Sequence, residues 1–319
     1  MKLKKKIGIL VLTVLCVASF SAAAIAANFV SIATGGTSGT YYPLGGAIAQ
    51  AVTKGSSIQA TAETANASVA NVNLVAQGEI EIAFVQNDIT FWAYNGQQMF
   101  KDPLKSVRSV ASLYPEHIQF IVTKDSGVTT LTDLKGKRVG VGAPGSGTEG
   151  DCKAIFEVAG MTYADLKSVD YLDFGATTSR FKDNQIDAGI VVAGFPTASI
   201  MDLATTKPVQ LLAFDDEFMA KLSKAHPYFI SSMVPGGTYA GMDQDVKTPA
   251  VMAILVTNES VSEDVIYEFT KAMWENIDVV HAAHAKGKEI NLETALDGLT
   301  APLHPGAARY YKEKGMKLP

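Results

Sequence analysis

The chain has 319 residues, a formal net charge of −5, 47% hydrophobic residues and 2 Cys. Its length suits two domains of ordinary size, and its acidic balance argues against nucleic acid or an anionic membrane surface as partner. Two cysteines exclude a disulfide-rich scaffold.

At the N-terminus Lys2, Lys4, Lys5 and Lys6 precede an apolar run from Ile7 to Phe20, and Ala24-Ile25-Ala26 is a small-residue cleavage signal. This pattern predicts an exported protein whose signal peptide spans residues 1–26. The run is too short for a comfortable membrane span, and no later segment approaches about 18 uninterrupted apolar residues. Cleavage removes Cys16 and four lysines but no acid, so the exported chain carries only Cys152 and a charge near −9. An unpaired cysteine of this kind is expected as a buried small hydrophobe.

From Phe29 onward, short apolar runs alternate with longer amphipathic segments, which predicts an α/β architecture. Phe29 to Ala33 reads as the first strand, and Thr34 to Tyr42 as a Gly-rich loop. Pro43 suits the first turn of a helix running to about Val52. Strands are predicted at Ile58 to Thr64 and Ile80 to Val85; between them Ser68 is expected to cap a helix running to Ala76 and ended by Gly78. Asp88 is expected to cap a helix from Ile89 to Tyr94. Ile118 to Val122 reads as a strand leaving the first domain, with His117 at the crossing.

Val139 to Asp151, V-G-V-G-A-P-G-S-G-T-E-G-D, reads as strand, tight loop and helix N-terminus. Its glycines fit G-x-G-x-x-G, but Gly140 falls inside the strand, and Asp170 and Asp173 lie late for the ribose-binding acid of a dinucleotide site. A P-loop fails because Gly147 is followed by Thr148 with no lysine. Further on, a helix near Thr177 to Asn184, a strand at Ile186 to Ala193 and a helix from Gly194-Phe195-Pro196 to about Thr205 are expected. A strand at Val209 to Phe214 and a helix at Asp215 to Lys224 follow. Val251 to Thr257 reads as a strand returning to the first domain. Ser262 then caps one long helix with Val265, Ile266, Phe269, Ala272, Met273, Ile277 and Val280 on its apolar face. The chain therefore crosses twice, giving one lobe from residues 27–117 and 252–319 and a second from 118–251.

Ser38-Gly39-Thr40 and Ser146-Gly147-Thr148 are the same tripeptide, each after a strand and before a helix. Unpaired N–H groups and partial positive charge make helix N-termini anion sites, and α/β ligands sit beyond the carboxyl ends of strands. Two such corners facing one crevice predict a small carboxylate ligand. The candidate site residues are Gly36, Thr37, Ser38, Tyr41, Tyr42 and Ser68 with Gln86, Asn87 and Asp88 from the first lobe. Gly145, Ser146, Thr148, Phe195, Pro196 and Tyr239 are those from the second. Asp88 would receive an ammonium group if the ligand is an amino acid.

No catalytic residue, metal site or cofactor is expected. His281 and His284 lie i,i+3 apart without a third ligand, whereas catalytic zinc takes three. Ser146 lacks the leading Gly of G-x-S-x-G, which weakens a hydrolase reading without removing it.

Four stretches together resemble the TAXI family of solute-binding proteins of TRAP transporters: Ile32 to Pro43 (I-A-T-G-G-T-S-G-T-Y-Y-P); Ala67 to Asn71 with Val85 to Asp88; Leu134 to Glu149; and Pro302 to Tyr311 (P-L-H-P-G-A-A-R-Y-Y). The resemblance implies a periplasmic, monomeric protein of the two-lobed type II periplasmic-binding fold, with two open sheets flanked by helices and a double-strand hinge. It would close on a glutamate-like amino acid or a dicarboxylate and deliver it to TRAP transporter membrane subunits. No arginine lies inside the two loop motifs, and Arg108 and Arg180 are the outside candidates for a cationic contact. A ligand-sensing receptor shares the same site and differs in partner.

Overall fold

Ile82 to Gln86 is buried at all five positions, as a strand covered by helices on both faces requires. The computed structural model describes residues 28–319, so the predicted signal peptide and Cys16 lie outside the described residues. The chain begins β1 (Phe29–Ala33), α1 (Tyr41–Gly55), β2 (Gln59–Glu63), α2 (Ser68–Gln77), β3 (Ile82–Gln86) and α3 (Asn87–Asn95). A long β4 (Val107–Thr123) leads to β5 (Arg138–Gly140), α4 (Gly147–Val158), β6 (Ser168–Asp170), α5 (Phe174–Lys182), β7 (Ala188–Ala193), α6 (Ala198–Thr206) and β8 (Val209–Leu211). Then come α7 (Asp216–Ala225), β9 (Ile230–Val234), β10 (Val246–Asn258), α8 (Glu263–Glu275), α9 (Ile277–Ala283) and α10 (Pro305–Glu313).

The fold is the two-lobed α/β periplasmic-binding-protein fold, and its two sheets share strands. In the first lobe the order is β2-β1-β3-β10-β4. In the second it is β6-β5-β7-β4-β8, the same arrangement with β4 in the place of β10. Each time the first three strands are mutually parallel and the shared strand runs against them. The expected double-strand hinge is thus β4 and β10. Because both run through the lobes, the two expected sheets form one continuous hydrogen-bonded sheet. The exchange of partners falls at His117, which pairs with Ala250 on one side and Ala193 on the other.

Several elements differ from their sequence reading. β4 begins at Val107, eleven residues before the expected Ile118. Its first part carries Arg108, Pro115, Glu116 and His117, and Leu113 and Val110 have no partner at two register shifts against β10. Such bulges interrupt the alternation that marks a strand. The polar Ile230–Val234 was not expected as a strand; it pairs with the first half of β10. The long C-terminal helix is broken at Asn276 into α8 and α9, and most of its predicted stripe is buried as expected. Ser68 does not cap α2; it is the first helical residue, and its hydroxyl accepts from Gln86 N at 3.1 Å. Asp88 likewise lies inside the first turn of α3, with Gln86 as the N-cap.

A single apolar layer runs under the sheet from Val85 and Ile89 through Phe120 to Phe156 and Phe214, joining both lobes. Phe120 on β4 is fully buried, with ring centroids 6.2 Å from Phe156 and 6.0 Å from Phe214. Cys152 is buried and free, its thiol pushed up by burial. We expect Phe120→Ala to cost about 3–5 kcal/mol through lost transfer energy and the cavity left behind, read as a lower denaturant midpoint.

Candidate ligand-binding cleft

Where the lobes face each other, the chain encloses a cavity of about 290 Å³, of a size for a small molecule. Four helix N-termini border it. Thr40 and Tyr41 open α1 and Ala67 and Ser68 open α2 in the first lobe; Ser146 and Gly147 open α4 and Asp173 and Phe174 open α5 in the second. This follows from the repeated topology, since α1 and α4 each follow the first parallel strand of their lobe and α2 and α5 the second. Unpaired N–H groups and helix dipoles from both lobes favour a negative charge between them.

The two Ser-Gly-Thr corners are topologically equivalent but locally different. Ser146 is the N-cap of α4; its hydroxyl accepts from Glu149 N at 3.2 Å and donates to Ala143 O at 2.7 Å. At the other corner the N-cap is Thr40, whose hydroxyl makes no cap bond and instead donates to Gly194 O across the lobes at 2.9 Å. Ala70 N donates to Gly145 O at 3.0 Å, a second bond between lobes. Gln86 Nε2 donates to Asp151 Oδ2 at 2.7 Å, a third. A Cβ on Gly147 would lie 1.3 Å from Gln86 Oε1, so only glycine admits this approach.

Of the predicted site residues, Gly36, Thr37, Ser38, Tyr41, Ser68, Gln86, Ser146 and Thr148 line the cavity. The other seven do not. Tyr42 points the opposite way, 38% exposed beside a shallow groove with Pro43 and Gln50, because it follows Tyr41 around the helix. Asn87 is held by Met252 N and Gly298 O at 3.0 and 3.1 Å. Asp88 is fully buried beside Asp151. Gly145 takes a positive φ of 76° in the turn before α4 and lies beside Ala70, outside the lining. Phe195 packs against His117, with centroids 4.5 Å apart, and precedes Pro196 in a cis bond. Tyr239 donates to Gln119 Oε1 at 2.6 Å in the second-lobe core.

Sequence reasoning missed Glu116, which lines the cavity although only 2% of it is exposed. Tyr41 OH donates to Glu116 Oε2 at 2.6 Å, and burial raises the carboxyl to about 8. A lone acid in an unrecognised strand gives no sequence signal. Also missed were Thr64, Ala65 and Asn66 after β2, Asp173 and Phe174 at α5, and Val192 and Ala193 on β7. Of these, Asp173 carried a readable sign as an acid just ahead of a helical segment; it is the N-cap of α5, and its carboxylate accepts from Ala176 N at 2.7 Å. His117 stays outside the cavity, bonded to Ser232 Oγ at 2.8 Å; burial lowers it to about 3 and keeps it neutral.

No lysine, arginine or histidine is among the lining residues. Arg108 is paired with Glu259, and Arg180 donates to Gln185 Oε1 at 2.6 Å, both away from the cavity. His281 bonds Ile290 O while His284 caps the turn after α9, and no group that could hold a metal ion occurs among the described residues.

The NMT1-like family model matches residues 32–315, nearly all of the described chain. This chain belongs to the NMT1-like family. Solved structures share its fold at low identity. One from Bordetella bronchiseptica RB50 aligns with a TM-score of 0.59 at 16% identity, over 90% of this chain and 98% of that one. A protein assigned to an L-cystine ABC transporter of Listeria monocytogenes gives 0.52 at 14%, over 83% and 99%. The binding-protein component of an ABC phosphonate transporter of Pseudomonas aeruginosa gives 0.51 at 12%, over 87% and 80%.

Two substitutions separate the cavity from the frame around it. A Cβ on Gly36 meets nothing within 4 Å, so Gly36→Val should fill cavity space and weaken ligand binding while leaving the melting temperature unchanged. Gly147→Ala should instead drive Gln86 from its contact and lower the melting temperature by a few degrees, about 1 kcal/mol or more. Calorimetric titration paired with thermal melts reads both.

Proposed function

We propose that this protein is a periplasmic solute-binding protein that captures a small carboxylate, a glutamate-like amino acid in preference to a dicarboxylate. It delivers that ligand to the membrane subunits of a TRAP-type transporter. The observation that carries the reading is the convergence of four helix N-termini on an enclosed cavity with one buried carboxyl, Glu116, and no cationic side chain among the lining residues. The helix ends suit the ligand's carboxylate; Glu116 suits an ammonium group.

The binding-protein role is supported by the fold shared with transporter components such as the phosphonate protein. The TRAP assignment, and membership of the TAXI group, rest on the four sequence stretches, two of which supply the α1 and α4 corners of the cavity. A ligand reaching both lobes favours the closed arrangement by its differential contacts, which is the physical basis of capture and release. A hydrolase using Ser146 is disfavoured: its hydroxyl is committed to the cap of α4, and no histidine lines the cavity.

The amine preference has a defined pH sign. Glu116 is raised to about 8 in the closed cavity, and an ammonium ligand stabilises its charged form, so binding such a ligand releases a proton. Glutarate, which lacks the amine, has no such partner for the Glu116 anion. We expect L-glutamate to bind more tightly than glutarate by about 10- to 100-fold, the value of one hydrogen bond to a charged group, and Glu116→Gln to remove most of that difference. Equal affinities for the two in the wild type, measured by calorimetry, would exclude the ammonium role.

A further inference from the structure

Behind the cavity two carboxylic acids from opposite lobes are buried together. Asp88 lies in the first turn of α3 and Asp151 in the first half of α4, and neither has any solvent exposure. Asp151 Oδ2 accepts from Gln86 Nε2 at 2.7 Å. Its Oδ1 and both oxygens of Asp88 are buried without a hydrogen-bond partner of good geometry. The backbone N–H groups of Ile89 and Asp88 ease the Asp88 charge only in part, and the two carboxyls lie close enough to each other to share a hydrogen bond. Two acceptor-only carboxylates cannot make such a bond; one must carry the proton and donate it. Asp151 Oδ1 is the available donor atom, because Oδ2 is occupied by Gln86.

The surroundings supply no counter-charge. Glu116 on β4, when ionised, adds further negative potential rather than relief. On the side of α7, Tyr228 is bonded to Trp92 Nε1, and His226 Nδ1 lies 3.0 Å from the Tyr228 hydroxyl. Burial lowers His226, which disfavours its charged form. On α4 itself, Lys153 is paired with Glu149 at 2.5 Å. A doubly ionised Asp88–Asp151 pair would therefore face burial and mutual repulsion without relief.

We propose that Asp88 and Asp151 form a proton-sharing clasp between the lobes, so that closing the cleft takes up a proton from solvent. When the lobes part, each carboxyl is hydrated and returns toward the ordinary carboxylate range. In the closed form, burial raises Asp88 to about 6 and, reinforced by the Asp88 charge, raises Asp151 well above the ordinary carboxylate range. The sign follows from proton counting. The closed state binds more protons, so closure is fully favoured below the open-state value and loses ground as pH rises toward the closed-state values.

The test uses the signal-cleaved protein without ligand, so its failure leaves the carboxylate reading standing, and the glutarate comparison can fail while the clasp survives. Small-angle X-ray scattering at about pH 5 and about pH 8 reads the open-to-closed ratio. In the wild type that ratio should rise with pH, by up to about tenfold per unit for one proton. Glu116 in the closed cavity also gains a proton on closure, so the variants are compared in a Glu116→Gln background, which should itself keep the pH response. There Asp151→Asn presents an amide N–H to Asp88 and an oxygen to Gln86, reproducing the protonated acid, and should stay equally compact at both values. Asp88→Asn supplies a donor from the other side and should behave the same way. A wild type whose scattering is unchanged between the two values, or variants that open in parallel with it, would overturn the clasp.

Discussion

Two strands bind the molecule together. β4 runs antiparallel to β10 in one sheet and to β7 in the other, while β10 pairs with β3 in the first lobe and with β9 in the second. Each lobe's sheet is completed by a strand that continues into its neighbour, so the backbone at the crossing is hydrogen-bonded on both edges. Lobe motion is confined to bending and twisting of this pair. The helices that matter for binding hang from the parallel strands on either side of it, and their N-termini meet over the crossing. The cleft is a consequence of the shared strands rather than an addition to them.

That geometry sets a consistent electrostatic pattern. Positive helix ends from both lobes border the cavity, Glu116 lines it, and Asp88 and Asp151 lie behind it, all three acids buried. Burying three carboxyls without a cation is unfavourable unless they are neutral, hydrogen-bonded or matched by a ligand. Tyr41 matches Glu116 in part, and Gln86 matches Asp151 in part. Gln86 occupies the junction of these networks: its backbone N donates to Ser68, its side chain reaches Asp151, and its Oε1 lies against Gly147. One residue therefore connects the cavity lining, the lobe contact and the buried acids.

Much of the frame was legible in the sequence because it rests on local signals. The alternation of apolar runs with amphipathic segments gave the order of elements, and the strand–Ser-Gly-Thr–helix corners gave two of the four helix ends at the cavity. What was not legible depends on distant partners. The first half of β4 carries Pro115, Glu116 and His117, and only its pairing with β10, bulges included, makes it a strand. Glu116 was hidden for that reason. Tyr42, Asn87 and Asp88 were misplaced because sequence adjacency to a lining residue does not tell which way the next side chain turns: Tyr41 and Gln86 face the cavity, and their neighbours face away. Phe195, Pro196 and Tyr239 were assigned to a wall that β7 and α5 occupy instead.

The shared hinge also has a price during synthesis. Val107 pairs with Asn258 and His117 with Ala250, so the edge of β4 that meets β10 waits for well over a hundred later residues before it is covered. Pairings at such separation close slowly, since a long chain must be gathered before any contact compensates. Until then a bulged, largely apolar strand edge stands open, the kind of surface on which unfinished chains adhere to one another. The central sheet is therefore among the last parts the chain can complete, because its middle strand pair cannot close until residues 246–258 exist.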